Sequence, residues 1–467
     1  MSTSPVEVPY LDPFDAFAPF AREPFALFLD SALRSERFGR YSFIAVDPYA
    51  TLVSREGRID FNGEAVEGDP FAVLEGALAR HSFASVPGLP PFQGGVAGYF
   101  GFDLCHHLER LPHLAATEPN FPDMMIGFFD SVIAFDNLEG RAWIFSNGLP
   151  ERETAAREAR AKLRAETLGE RLRGASKAPP DERLEAAGWA APVWEPDGGR
   201  AAYETEVGRV IDYIRAGDIF QANLSRELRA RLPGGLEPFT LYRRLRRLSP
   251  TDFSAFLGTG EVTLLSSSPE RFLMLSGDRV ETRPIKGTRP RGRTPEEDRR
   301  LARELQESAK DRAENVMIVD LLRNDLARVC RADSVEVSEL CTLESFASVH
   351  HLTSTVVGSL KPGAAPIDLL RAAFPGGSIT GCPKIRAMEI IAELEGKRRG
   401  PHFGGIGYIG FDGTMDLNIA IRTIAIKDGW MTLRVGGGIV ADSDRGEEFD
   451  ETESKVHALR RAAEPDG

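Results

Sequence analysis

Short apolar runs that alternate with polar residues, each broken by Gly, Asn or Asp, fill the first 150 residues of the chain. Residues 39–47 (GRYSFIAVD), 52–63 (LVSREGRIDFNG), 94–104 (GGVAGYFGFDL) and 124–147 (MMIGFFDSVIAFDNLEGRAWIFSN) all carry this pattern and predict strands. The pattern then changes. Residues 151–174 (ERETAAREARAKLRAETLGERLRG) read as a solvated connecting helix with few large apolar positions, and 175–199 as a loop. From Tyr203 the helical period returns, with Val207, Val210, Ile211 and Ile214 on one face, Gly217 as the C-cap, and a strand following over 219–228. Residues 252–287 predict consecutive hairpins turning at 258–261 and 276–278, and 295–328 a single long amphipathic helix. Residues 405–443 predict a meander with Asp-Gly turns at 412–413 and 428–429, and 447–463 a closing helix. Local hairpins dominate, which favours antiparallel sheets flanked by helices over a doubly wound parallel fold. The expected organisation is a region over 1–150, a helical linker and loop over 151–200, and a second region over 201–463.

A net charge of −13 argues against a nucleic-acid binder relying on general phosphate attraction. The N-terminus lacks a basic segment followed by an apolar run, and no stretch of about 18 apolar residues occurs, so neither a secretion signal nor a membrane span is expected. Cys105, Cys330, Cys341 and Cys382 are scattered without redox or zinc spacing, which predicts reduced thiols and a cytoplasmic location.

Several short stretches offer chemistry. Residues 405–410 (GIGYIG) match G-x-G-x-x-G, but a turn and another strand follow rather than a helix, so the glycines are read as places of close backbone approach. Asp311 and Glu314 stand three apart on one predicted helix, and Glu448 and Glu451 repeat the spacing on another, with Lys455 one turn on. Such pairs suit either a divalent ion or a solvated acidic face. Glu270 in SSSPERF is a candidate general acid or base, or a surface partner of Arg271. At least one of His350 and His351 should point inward from a strand, as a pocket or a core histidine. Ser378 and Thr380, read as lying near the N-terminus of the helix after Pro383, are a candidate anion site. Arg422, on the small-residue face of an apolar strand, suits a recessed carboxylate receptor. Lys286 stands alone among Arg283, Arg289, Arg291 and Arg293, where a solvated surface lysine is the bland reading.

Seven ordered segments resemble the chorismate-utilising enzymes: SSSPERF, PIKGTRPRG, AENVMIVDLLRND, VHHLTSTVVG, PGGSITGCPKIRAMEII, GYIGFDGTMDLNIAIRT and GGGIVADSD…EEFDETESK. That family includes component I of anthranilate synthase and of aminodeoxychorismate synthase, and the isochorismate and salicylate synthases. The resemblance implies an α+β fold, a large sandwich of two antiparallel sheets with flanking helices, and chorismate and Mg²⁺ as ligands. It implies Glu314 and Glu451 as principal magnesium ligands, with Asp311 and Glu448 beside them. Arg422, Gly436, Gly437, Gly438 and Lys455 would surround the substrate carboxylates, with Ser378, His351, Thr288 and Gln221 lining the pocket. Glu270 would be the general acid/base.

The stretch P-I-K-G-T resembles the aminodeoxychorismate branch, where anthranilate synthases carry P-I-A-G-T. The implied role of Lys286 is covalent: its amine adds at C2 as the C4 hydroxyl departs with help from Glu270, then ammonia adds at C4 and expels it. The amine must be neutral to attack, and the nearby arginines and cation are expected to favour that. Gln221 fits an ammonia-using member. No amidotransferase nucleophile motif is visible, so a separate glutamine amidotransferase subunit is expected to supply ammonia, and no lyase is expected within the chain. The rivals are anthranilate synthase component I and a non-catalytic chorismate- or tryptophan-sensing subunit. His402 stands where a tyrosine is usual and Cys382 where alanine is common. FLDSALRSERFGRYSF resembles an aromatic amino-acid pocket, with Asp30 in place of the usual Glu and Ser31 beside it.

Overall fold

The strands sort their side chains with the period of two expected of a half-buried sheet. In Ala26–Asp30, Leu27 faces one apolar cluster while Ala26 and Phe28 face another. In Gly95–Phe100, Ala97 and Tyr99 join the first of these clusters, whereas Val96 and Phe100 join a third. The cluster shared by both strands is the filling between two sheets. There Phe92 stacks on Tyr408 with ring centroids 4.4 Å apart, and Phe43 meets Tyr408 at 5.6 Å. The computed structural model describes residues 5–35, 37–115, 118–175, 188–346 and 349–465.

Among those residues the chain forms two 12-stranded sheets, and every pairing in them is antiparallel. Each sheet joins an early block of strands to a late one at a single seam. Phe28 pairs with Phe256 at one seam and Gly98 with Gly407 at the other. Helices Pro238–Leu248 and Arg445–Ala463 cover the outer face of the first sheet. Helices Pro70–Leu78, Ala309–Val329 and Pro366–Ala373 cover that of the second. The expected α+β sandwich of two antiparallel sheets with flanking helices is the observed architecture. No described helix is long and apolar enough to cross a membrane.

The chain crosses between sheets at two points that matter for the site. Thr263–Ser268 lies in the first sheet and Arg271–Ser276 in the second, so Pro269 and Glu270 make the crossing. Met415–Ile419 lies in the second and Thr423–Lys427 in the first, so Ala420, Ile421 and Arg422 cross back. Arg422 is therefore not on a continuous strand as its alternation suggested. It adopts a left-handed backbone, φ 49°, at the crossing itself.

Other expectations also change. The helix over 295–328 is two helices, Pro295–Glu307 and Ala309–Val329, broken at Ser308. The Ser308 hydroxyl accepts from the Asp311 backbone N at 3.2 Å, an N-cap that the Ser-x-x-Asp sequence encodes. The connecting helix, Thr154–Ala175, is not wholly solvated, because Leu168 and Leu172 are buried against the strand Arg141–Ser146. Of the loop expected over 175–199, residues 176–187 lie outside the described residues. Gly407 confirms the reading of 405–410: a Cβ there would meet the Asp416 carbonyl at 2.0 Å.

Candidate active site

Lys286 points inward because its strand is bulged. Ile285 pairs with Thr353 and Thr288 with His351, leaving two residues of one strand opposite one of the other. A bulge of this kind re-aims a side chain. Gly287 completes the turn at φ 84°, where a Cβ would strike Leu305 at 2.8 Å and Asp311 at 3.0 Å. Lys286 is 8% exposed, and its Nζ donates to the Ser378 carbonyl at 3.0 Å. Burial pulls its pKa below the usual lysine range, while Glu314 and Glu270 push back. The arginines do not do this work. Arg283 pairs with Glu344, Arg289 with Asp311 and Arg291 with Asp298, so the expected arginine field around Lys286 is replaced by desolvation.

Glu270, at the first crossing, is buried, and burial raises its carboxyl to about 7 against the pull of Ser378, Lys286, the Ile285 backbone and Arg422. Arg271 is not its partner; that guanidinium binds Asp416 and Glu281. Ser378 bridges the pair, taking Lys286 on its carbonyl and Glu270 on its side chain. It sits in a 3₁₀ turn, Gly377–Ile379, separated by the short strand Gly381–Cys382 from the helix Lys384–Glu395. The helix N-terminus therefore does not frame Ser378 and Thr380; the Thr380 hydroxyl donates to the Gly376 carbonyl at 3.1 Å.

The guanidinium of Arg422, at the second crossing, makes no hydrogen bond or ion pair among the described residues, although burial presses its pKa down against the pull of Glu270. An unpartnered, desolvated guanidinium suits a carboxylate ligand. His351 is 2% exposed and neutral, lowered to about 3 by burial and by Arg422. Its Nδ1 is 2.9 Å from the Thr288 hydroxyl, which places Thr288 behind the histidine. His350 is also buried but structural, held by Ser345 at 2.7 Å and Asp298 at 3.0 Å.

Gly436, Gly437 and Gly438 run antiparallel to Ser225, Leu224 and Asn223. A Cβ on Gly438 would lie 2.0 Å from Gln221 Nε2 and 3.3 Å from Lys286 Nζ, and one on Gly437 2.9 Å from Glu448 Oε2. Three site residues thus press against bare backbone. Gln221 is 1% exposed and its Oε1 has no hydrogen-bond partner. Gly438→Ala is expected to cost about 1–3 kcal/mol by overpacking, read as a lower denaturant midpoint. Lys455 donates to the Gly436 carbonyl at 2.9 Å and pairs with Glu451 at 2.6 Å.

The four carboxylates stand on two helices as their spacing predicted. Asp311 takes Arg289 at 3.0 Å, and buried Glu448 takes Ser443 at 2.7 Å and Lys310 at 3.3 Å. The Glu314 carboxyl makes no hydrogen bond or ion pair among the described residues. Burial, Glu448 and Asp311 raise it to about 7 against Lys286 and Lys310. No described group of three or more His, Cys, Asp or Glu is gathered to hold an ion alone. A magnesium site needs only one or two carboxylates completed by water and an anionic ligand. An orphaned carboxyl facing a second carboxylate helix fits that requirement.

Three sequence expectations fall outside this centre. Asp30 is satisfied by Arg246 at 2.6 Å and Tyr242 at 3.0 Å, and Ser31 by the Tyr41 carbonyl at 2.6 Å. His402 is buried with its Nε2 3.1 Å from the Thr432 hydroxyl. Cys382 is half-buried and pairs with Gln221. Two residues escaped the sequence reading. Lys310 could have been found from its i, i+4 spacing to Glu314. Arg399 could not: it ties the Ile379 carbonyl at 3.0 Å to that of Asn223 at 2.7 Å, and only the fold brings those together.

Comparison with known proteins places this geometry. The family model described as chorismate binding enzyme matches residues 26–461. Anthranilate synthase component 1 of Thermus thermophilus is 42% identical over 97% of this chain and 95% of its own length. Aminodeoxychorismate synthase component 1 of Salmonella typhimurium is 40% identical over 95% of this chain and 94% of its own. The crystal structure of anthranilate synthase component I from Streptococcus pneumoniae superposes with a TM-score of 0.81 at 33% identity, covering 92% of this chain and 94% of that one.

Proposed function

The chain belongs to the chorismate binding enzymes, and we propose that it carries out the aminodeoxychorismate synthase reaction, converting chorismate and ammonia to 4-amino-4-deoxychorismate for p-aminobenzoate and folate synthesis. One observation carries the proposal. A desolvated lysine, Lys286, and a raised carboxyl, Glu270, share Ser378, and the resemblance of P-I-K-G-T implies that anthranilate synthases have alanine in place of that lysine.

In the proposed sequence the neutral Lys286 amine bonds to C2 while Glu270 gives its proton to the departing C4 hydroxyl, which leaves as water. Glu270, now a carboxylate, takes up the proton shed by the new C2–N bond. Ammonia then bonds to C4 as the C2–N bond breaks; Glu270 passes its proton to the departing nitrogen, so that Lys286 leaves as a free amine, and takes one back from the new C4 ammonium. Covalent addition divides one hard displacement into two easier ones. Arg422 is the receptor for a substrate carboxylate, and the buried, unpaired Gln221 Oε1 offers ammonia an acceptor beside Lys286 and Gly438. Glu314 and Glu451, with Asp311 and Glu448 directly or through water, would hold a magnesium ion, which supplies charge neutralisation at the ring carboxylate. The relatives are each named component 1 of their synthase. We propose the same division here, with ammonia drawn from a separate glutamine amidotransferase subunit.

Arg422→Gln should raise KM for chorismate about 10- to 100-fold with kcat largely kept, the signature of binding lost equally in ground and transition states. Steady-state kinetics with ammonium salt test this.

A second reading, amination at C2 to give anthranilate, draws on the 42% identity to the Thermus enzyme. The purified chain with chorismate, Mg²⁺ and ammonium salt decides between them. A product of 4-amino-4-deoxychorismate mass, converted by an added lyase to p-aminobenzoate, supports the proposal; fluorescent anthranilate overturns it.

A further inference from the structure

We infer that Lys310 is a resident counter-cation of the carboxylate cluster, which leaves for solvent when a divalent ion binds and so sets the affinity of the cluster for that ion. The inference rests on the magnesium assignment proposed above. Lys310 Nζ lies 3.3 Å from Glu448 Oε1, and the residue stands one helical turn before Glu314 on Ala309–Val329. Its positive charge acts on Glu314 and Glu451 as well, holding both carboxyls lower than they would otherwise be. One ammonium thus serves three of the carboxylates a divalent ion would use.

The other cations at the cluster are anchored. Lys286 is buried on the Ser378 carbonyl. Lys455 bridges Gly436 and Glu451, and Arg289 bridges Asp311 and its neighbouring Thr288 carbonyl. Lys310 is different: its only hydrogen bond among the described residues is the long one to Glu448, and its side chain is 43% exposed. A long aliphatic stem lets such a head group move into water at little cost. An ammonium and a dication a few ångströms apart in a partly desolvated site repel strongly, so both cannot share these carboxylates.

The test is binding rather than turnover. Mn²⁺ binding to the full chain is measured by electron paramagnetic resonance, with Mg²⁺ as competitor, for the wild type, Lys310→Met and Lys310→Arg. Removing the competing charge should tighten Mn²⁺ binding about tenfold in Lys310→Met, with Lys310→Arg close to wild type. Without metal, Lys310→Met should also unfold at lower denaturant, a deficit that Mn²⁺ removes. Equal affinities in wild type and Lys310→Met would overturn the inference and leave the magnesium assignment standing. Weaker binding in Lys310→Met would overturn it too, making Lys310 a residue that holds Glu448 in place for the ion. If no variant binds Mn²⁺ or Mg²⁺, the assignment itself falls, and the inference with it.

Discussion

Replacing Lys286 by alanine should lower the formation of 4-amino-4-deoxychorismate by about 10³-fold, or ~4 kcal/mol of transition-state stabilisation, while chorismate binding changes little. The substrate carboxylates are proposed to sit on Arg422 and the Gly436–Gly438 backbone, which the substitution leaves in place. What disappears is the amine, held 3.0 Å from the Ser378 carbonyl with its pKa drawn down by burial. The space it vacates lies beside Gly438 and Gln221, where ammonia is proposed to wait. Direct attack of ammonia on C2 then becomes the accessible route, and a new fluorescent product of anthranilate mass should emerge. Product analysis by mass and fluorescence reads both effects at once. An unchanged product at an unchanged rate would remove the covalent mechanism.

Glu270→Gln should separate activity from stability. Loss of the proposed acid is expected to cost about 10²- to 10⁴-fold in kcat. For the wild type, activity should fall as pH rises through about 7, where Glu270 gives up the proton it is proposed to donate. The stability effect has the opposite sense. The folded pKa of about 7 exceeds the ordinary glutamate value of 4.5, so Glu270 folds favourably in its neutral form. That advantage is complete below pH 4.5 and is lost as pH rises through 7, leaving at pH 8 an unfavourable buried charge worth at most about 3 kcal/mol. The glutamine variant should therefore resist denaturant better than the wild type at pH 8, and show little difference at pH 5. A variant no more stable at pH 8 would mean that Glu270 is not held in its neutral form.

The sequence reading captured what depends on local rules. Period-two patterning gave the strands, Asp-Gly gave the turn with Asp428 and Gly429 both at positive φ, and Gly217 ends its helix at φ 85°. It also found the carboxylate pairs, since i, i+3 spacing is a property of one helix. It failed where the chain changes sheets. Nothing in DLNIAIRTIAI distinguishes an unbroken apolar strand from two strands joined by a left-handed arginine, because both halves keep the same apolar composition. It failed also in assigning the cause of the lowered Lys286 pKa, since Arg283, Arg289 and Arg291 are adjacent in sequence but spoken for in space. Ser308 was legible and overlooked: its capping signature lies inside a run whose amphipathic period continues on both sides.

The two crossings give the site a mechanical dependence. Glu270 and Arg422 each stand where one sheet hands the chain to the other, so their separation is set by how the two layers are clamped, not by either layer alone. A substitution in the inner filling, such as at Phe92 or Tyr408, touches neither residue, yet any slip of one layer past the other would be delivered to the proposed acid and the proposed carboxylate receptor. Catalysis in this chain is in that sense a strain gauge on the sandwich: turnover should decay before the layers come apart, and partly assembled forms should be silent.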